Sequence, residues 1–119
     1  MNNPANQKEI YEDDPEHPIP FLDRLDVFAE FENGGGRLII VAAQPLTGDD
    51  RTLKRILQKI ENYLVFVNSD QFPIENGPQT IENTEIAVSL KPGTDQVVFE
   101  FLESCVGWVA QNNARLVVE

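Results

Sequence analysis

The sequence contains little of what catalytic and metal sites are usually built from. Its 119 residues include one cysteine, one histidine, one tryptophan and one methionine. A single cysteine excludes an internal disulfide and suits a reducing compartment. One histidine without regularly spaced partner ligands excludes the common zinc patterns. We therefore expect no catalytic constellation, no metal, no cofactor and no small-molecule ligand.

Long hydrophobic runs and basic residues are also scarce. No stretch approaches the roughly 20 apolar residues that cross a bilayer, and the first residues show no charged segment followed by an apolar one. These absences predict a cytoplasmic protein without a membrane partner. Nine Lys and Arg stand against 20 Asp and Glu, which gives a net charge of -11. Such a charge repels a phosphate backbone, so we expect no nucleic-acid partner.

The most strongly patterned stretch covers residues 49–67, DDRTLKRILQKIENYLVFV. Thr47, Asp49 and Asp50 are suited to cap the start of a helix, and Asn68 to end it. Apolar residues recur at steps of three and four, the period of an amphipathic helix. They are Leu53, Ile56, Leu57, Ile60, Leu64 and Val67.

The opposite side of this helix carries the only basic cluster in the sequence, formed by Arg51, Lys54, Arg55 and Lys59. One interpretation is a solvated outer face, which is usual for charged helix surfaces. The other is a docking surface for an acidic partner or for the chain's own acidic N-terminal segment. These four residues are therefore candidate partner-binding residues.

Residues 1–22 form an acidic, proline-containing tail that we predict to be flexible, ahead of a single domain at residues 23–119. The sequence EDDPE at residues 12–16 has the charge to lie over a basic surface such as the outer side of the first helix. The end of the tail is apolar and is suited to anchor it to the domain. The apolar residues are Ile19, Phe21 and Leu22.

Three side chains of types that often take part in catalysis or ligand binding are interpreted here as structural. His17 lies among prolines without a second ligand nearby, so we interpret it as solvated rather than as a metal ligand or acid–base group. Cys105 falls on the core side of a second predicted helix, where a thiolate is disfavoured, and is interpreted as a small hydrophobe rather than a nucleophile. Trp108, beside Gly107, is interpreted as filling a seam between helix and sheet rather than as a ligand platform.

Apolar patterning also predicts strands. Residues 25–31 alternate as in a half-buried strand, and residues 37–43, RLIIVAA, form the continuous apolar run of an interior strand. Asn33 and three glycines between them predict a hairpin turn; glycine-rich loops also hold phosphates, but no helix start follows this one. The remaining elements are a third strand at 84–90, a second helix at 95–111 and a fourth strand at 114–118.

The order ββαβαβ predicts an α+β fold, a two-layer sandwich whose four-stranded mixed sheet has the spatial order 1-2-3-4. Right-handed crossovers in one direction place both helices on one face of that sheet. The other face is then bare, and Phe28, Ile39 and Val41 are candidates for it, Phe28 also as a partner-binding residue. We expect either the tail or a second copy, forming a homodimer, to cover it.

Residues 56–70, ILQKIENYLVFVNSD, resemble a family of small bacterial proteins that carry a domain of unknown function. In that family a hairpin ends in an Asp-His-Leu-like element, and a helix with leucine, glutamine, lysine-isoleucine, tyrosine and phenylalanine follows. The matching residues are Leu57-Gln58, Lys59-Ile60, Tyr63 and Phe66. Gln44-Pro45-Leu46 replaces the Asp and His, so a role of that pair does not carry over. The resemblance covers roughly residues 25–119 and implies the fold.

Acidity, a bare sheet face and an acidic tail predict a non-enzymatic cytosolic module that binds another protein. An acidic inhibitor of immunity type, whose carboxylates cover a basic active site, is a special case of such binding. An enzyme is the third alternative, although the usual nucleophile and base are missing. The longest irregular stretch, residues 71–83, has a composition that favours none of these.

Overall fold

The computed structural model describes residues 10–32, 34–69 and 80–119, so most of the predicted loop at 71–83 lies outside the described residues. The four strands form one mixed sheet in the order β1-β2-β3-β4, with β1 antiparallel to β2 and the other neighbours parallel. The α+β fold, the ββαβαβ order and the strand order are thereby confirmed. The elements are β1 (Val27–Glu30), β2 (Gly36–Val41), α1 (Asp50–Val67), β3 (Thr84–Ser89), α2 (Gln96–Gln111) and β4 (Arg115–Val118).

The hydrophobic core lies between the two helices and one face of the sheet. Successive strand residues point to opposite faces, so Leu38 and Ile40 of β2 share the helix side with Ile86 and Val88 of β3, and all four are fully buried. The inward residues of the helices complete this cluster: Ile56, Ile60, Leu64, Val67, Val98, Leu102, Cys105 and Val109.

The turn between β1 and β2 depends on glycine. Gly34 and Gly35 have φ values of 94° and 77°, a region that side-chain-bearing residues rarely adopt. A Cβ on Gly36 would lie 2.4 Å from Cε1 of Phe28, so this glycine makes room for the Phe28 ring. Phe28 is paired with the buried Leu38 and packs against the core. The expectation that Phe28 lies on the bare face is therefore wrong.

Helix α1 is contacted on more sides than its amphipathic pattern predicts. Asp49 caps it by accepting a hydrogen bond from the Thr52 N–H, and Asn68 ends it. Its exposed residues form one narrow stripe, which includes Leu57 at 36% exposure. The expectation that Leu57 points inward is wrong, because Leu57 lies one turn from Lys54 and Glu61 on the solvent stripe. The N-terminal segment covers a different flank of the helix, at Arg51, Arg55 and Asn62.

Helix α2 places its single thiol on the core side, as its apolar pattern predicts, whereas the helix-to-sheet seam expected for Trp108 stays a prediction. Cys105 is 5% exposed, which agrees with its predicted position on the core side, and burial raises the pKa of its thiol. Trp108 is half-buried and packs against the core. Within the described ranges, neither helix has the length and apolar character that a membrane crossing requires.

Residues 10–22 pack against the domain through their apolar end. Ile19 is 0% and Leu22 is 4% exposed, and both belong to the core cluster. The Ala43 N–H donates to the Pro18 carbonyl, which ties the same segment to the chain just after β2. The division into a flexible tail and a separate domain at residue 23 stays a prediction, but the end of the tail contributes core side chains.

We expect Ile19→Ala to lower the free energy of unfolding by about 2–5 kcal/mol, the range for large-to-small changes in a core. Ile81→Ala is the matched control, because Ile81 is 39% exposed, and should change stability by about 0.5 kcal/mol or less. Urea denaturation of both variants measures the difference. Equal, small losses would show that the tail is not part of the folded core.

Candidate functional site

The predicted basic cluster of α1 is covered by the N-terminal segment, and Arg55 is its centre. The Arg55 side chain is fully buried. Its guanidinium makes five hydrogen bonds of 2.6–3.1 Å to backbone carbonyls. The acceptors are the carbonyls of Ile10, Glu12, Ile19 and Pro20. Every donor of the guanidinium is therefore used within the chain.

The segment supplies these carbonyls because it is rich in proline. Pro15, Pro18 and Pro20 have no N–H, and each restricts the preceding residue to extended backbone. Residues 12–20 form no helix or strand, so their carbonyls remain available to an outside donor, whereas Ile10 and Tyr11 are helical. Arginine suits this role because its planar fork presents several N–H groups at once.

The other three basic residues also have partners within the chain. Arg51 contacts Asp14 at 2.6 Å, and Lys59, whose side chain is 0% exposed, contacts Asp26 at 2.8 Å. Lys54 contacts Asp50 one turn earlier at 3.0 Å. A solvated face is thus wrong for Arg55 and Lys59. The chain's own segment occupies this side of the helix, which leaves Lys54 as its most exposed basic residue.

His17 is buried between the segment and α1 rather than solvated as expected. Its Nδ1 accepts the Ile19 N–H at 2.9 Å, and its Nε2 lies 3.1 Å from the Thr52 hydroxyl. An amide N–H can only donate, so Nδ1 is unprotonated and Nε2–H donates to Thr52. Thr52 in turn donates to the Asp49 carboxylate at 2.7 Å. Both ring nitrogens therefore have structural partners.

The surroundings of His17 favour the neutral imidazole. Burial lowers its pKa below the usual 6.5, and the cations of Arg55 and Arg51 lower it further, while Asp14 and Asp49 oppose them. Sequence reasoning missed this arrangement, because Thr52 lies 35 positions from His17. The proline spacing around His17 was the only available signal of an extended, packable segment.

The bare face of the sheet is lined by a small apolar patch. Val27 of β1 lies opposite Ile39 of β2, Ile39 lies beside Ala87 of β3, and Ala87 lies beside Val117 of β4. Val27 is 44% exposed, and Ile39 and Val117 are half-buried. The prediction that Ile39 and Val41 lie on this face agrees with the register. The described part of the tail packs against α1 and so does not cover it.

Four charged residues frame the patch. Arg37 contacts Glu85 at 2.6 Å and also pairs with Glu119, while Arg115 contacts Glu85 at 3.3 Å. The pair of Arg37 and Glu119 joins β2 to the end of β4, so it must cross β3 near Ala87. Ala87 is fully buried although it faces away from the helices. Two arginines and two glutamates give this face a formal charge of zero.

A solvent-open groove lies where the two helices end side by side. Its volume is about 210 Å³, and it is lined by Glu61, Leu64, Val65, Asn68, Trp108 and Asn112. The Asn68 side chain donates to the carbonyls of Leu64 and Asn112, at 2.8 and 3.0 Å, and so ties the two helix ends together. We call this feature the inter-helix groove.

Comparison of the chain with protein-family models, with curated proteins and with solved structures finds no match. The resemblance of residues 56–70 to a bacterial family therefore stays a prediction. In the structure its matching positions divide between packing and exposure: Tyr63 and Ile60 are buried, whereas Leu57 is exposed.

We expect the protein to lose stability as the pH falls below about 6.5. The lowered pKa of His17 means that the unfolded chain binds a proton that the native state excludes. The free energy of unfolding should therefore rise with pH through this window, by at most about 1.4 kcal/mol per pH unit for one proton. Denaturation of the native chain and of His17→Asn between about pH 5 and 7 measures it. Because His17 is the only histidine, an unchanged slope in the variant would contradict its buried, neutral state.

Proposed function

We propose that this chain is a non-enzymatic module that binds another protein, and that its partner presents a basic surface. The proposal rests on the ion pairs and hydrogen bonds that the basic side chains form within the chain. Most of its nine basic side chains are engaged by the chain itself, which leaves few to balance the outward carboxylates. The engaged residues are Arg37, Arg51, Lys54, Arg55, Lys59 and Arg115.

Many carboxylates, by contrast, face solvent without an ion pair in the described part of the chain. They are distributed over the N-terminal segment, the end of β1 and both helices: Glu12, Asp13, Glu16, Glu30, Glu32, Glu61, Glu100 and Glu103. The electrostatic potential at the surface is therefore negative over several elements and is not confined to one cluster. Such a field accelerates encounter with a basic partner and disfavours acidic ones.

The side chains most capable of chemistry support binding rather than catalysis, because packing already occupies them. His17 uses both ring nitrogens internally, and the Cys105 thiol faces the core. The Tyr63 hydroxyl accepts the Asp26 N–H and donates to the Arg24 carbonyl. Burial raises the Tyr63 pKa, which keeps its phenol neutral. A cytosolic location belongs to the same proposal, since a single buried thiol suits a reducing compartment.

An inhibitor of immunity type is the narrower form of this function. Such a protein covers the basic active site of a toxin with its carboxylates, and the same negative field supports it. The two forms differ in the partner's activity, which an inhibitor abolishes and an ordinary binding module does not.

We also propose that a second copy covers the open sheet face. Two chains of net charge -11 repel each other over most of their surfaces, but this face has a balanced set of charges around an apolar patch. A two-fold axis across it sets arginines of one copy against glutamates of the other. Each Å² of apolar area buried there contributes about 25 cal/mol.

The partner proposal predicts strongly salt-dependent association. A partner selected from the source genome by two-hybrid screening, then purified, should be basic. Its association rate should fall by about 10-fold to 10³-fold when the ionic strength rises from about 0.01 M to about 1 M. Stopped-flow measurement gives the rate, and loss of the partner's activity on binding identifies an inhibitor. A neutral or acidic partner with a salt-independent rate would contradict the proposal.

The dimer proposal predicts that Val27→Glu produces a monomer, because a buried unpaired carboxylate is costly. Val106→Glu is the matched control: Val106 is also 44% exposed but lies on α2, away from the sheet face. It should remain dimeric. Light scattering at about 0.15 M ionic strength, where screening acts over about 8 Å, measures the mass. A native chain of monomer mass at every micromolar concentration tested would exclude the dimer.

A further inference from the structure

We propose that the inter-helix groove receives an arginine side chain of the basic partner. The inference rests on the proposed function and assigns it one binding site. Three features of the groove converge on a cation with a flat, weakly hydrated head: its electrostatics, its aromatic wall and its size.

The electrostatic feature is the meeting of two helix ends. The C-terminal end of a helix carries the negative end of its dipole and is stabilised by a nearby cation. Helices α1 and α2 both end at this groove, through Asn68 and Asn112, and neither has a basic residue in its last turn. Two negative helix ends thus meet at the groove, and neither helix provides a cation from its own last turn.

Glu61 adds a full negative charge to the same place. It is exposed on α1 and accepts a hydrogen bond from the neutral Gln58 amide at 3.2 Å, and the ion pairs of the described residues do not include it. A guanidinium in the groove can therefore form a charge-assisted hydrogen bond with this carboxylate. The contrast with Asp14, Asp26 and Asp50 is direct, because each of those already has a basic partner.

The walls of the groove suit the rest of an arginine side chain. Trp108 is half-buried, so its indole is held by the core while part of it lines the groove. Tryptophan is the aromatic residue that attracts cations most strongly, and a guanidinium also stacks on its face. Val65, which is 66% exposed, offers apolar surface to the methylene stem.

The size of the groove argues against a larger ligand. Pockets for small molecules and cofactors usually measure about 300–1,000 Å³, whereas this groove measures about 210 Å³. A single long side chain needs less space than a cofactor, and it remains attached to a partner that contributes further contacts. Arginine is favoured over lysine because the ammonium is more strongly hydrated and does not stack.

The test uses Trp108 as its own reporter, because it is the only tryptophan in the chain. The full chain is titrated with a short oligo-arginine peptide, with an oligo-lysine peptide of equal length, and with an oligo-citrulline peptide that has the shape of arginine without its charge. We expect a saturable change of tryptophan emission with the arginine peptide, weaker binding of the lysine peptide, and none of the citrulline peptide.

Two variants of equal charge separate the groove from the general field. Glu61→Gln and Glu103→Gln each remove one negative charge, but Glu103 does not line the groove; it lies five positions before Trp108, about 140° further round α2. We expect Glu61→Gln to weaken binding of the arginine peptide by about threefold or more, and Glu103→Gln to weaken it by less than about twofold. Trp108→Leu should bind the arginine peptide at least about threefold more weakly. Because this variant lacks the tryptophan emission signal, its affinity is measured by calorimetry.

The outcomes distinguish the groove from the wider function. Binding of the peptide with equal losses in both charge variants and no change of emission would overturn the groove while leaving the acidic binding module intact. Absence of binding even at about 0.01 M ionic strength, where screening is weakest, would overturn both. Equal affinity for the lysine peptide would overturn the assignment to arginine.

Discussion

The Arg55 guanidinium joins helix α1 to the N-terminal segment, and no strand pairing links these two parts of the chain. It is fully buried on α1 and donates all five hydrogen bonds to carbonyls of the N-terminal segment. A buried cation is tolerated only where its donors are satisfied. The segment cannot leave without exposing those carbonyls to water and leaving the guanidinium without partners, so its position and that of α1 depend on each other.

Several other features follow from this clamp. With the segment in place, Ile19 and Leu22 reach the core, and His17 is enclosed beside Thr52. Lys59 is buried against Asp26, just before β1 begins. The basic side of α1 thereby becomes an internal surface. An acidic protein that buries its cations in this way presents a more negative exterior than an even mixture of its charges would give.

The rest of the surface differs in charge and apolar character from one region to another. The open sheet face is neutral, because Arg37 and Arg115 are balanced by Glu85 and Glu119. The inter-helix groove is negative and aromatic, since two helix ends meet beside Glu61 and Trp108. Surfaces of such different character suit different occupants. The two proposed occupants, a second copy and a basic partner, accordingly fall on different surfaces of the domain.

The sequence by itself determined the elements, their order and the turn, because helical and strand periods and positive-φ glycines are properties of neighbouring residues. It offered Phe28, Ile39 and Val41 as candidates for the open face, and the strand register then selected Ile39 and Val41. Only the tertiary structure decided that Arg55 and Lys59 are buried, that Phe28 points to the core and that Glu61 and Trp108 share a groove. Arg55 and Ile19 are 36 positions apart, and a contact over that distance depends on how the helices pack on the sheet, which no local pattern contains.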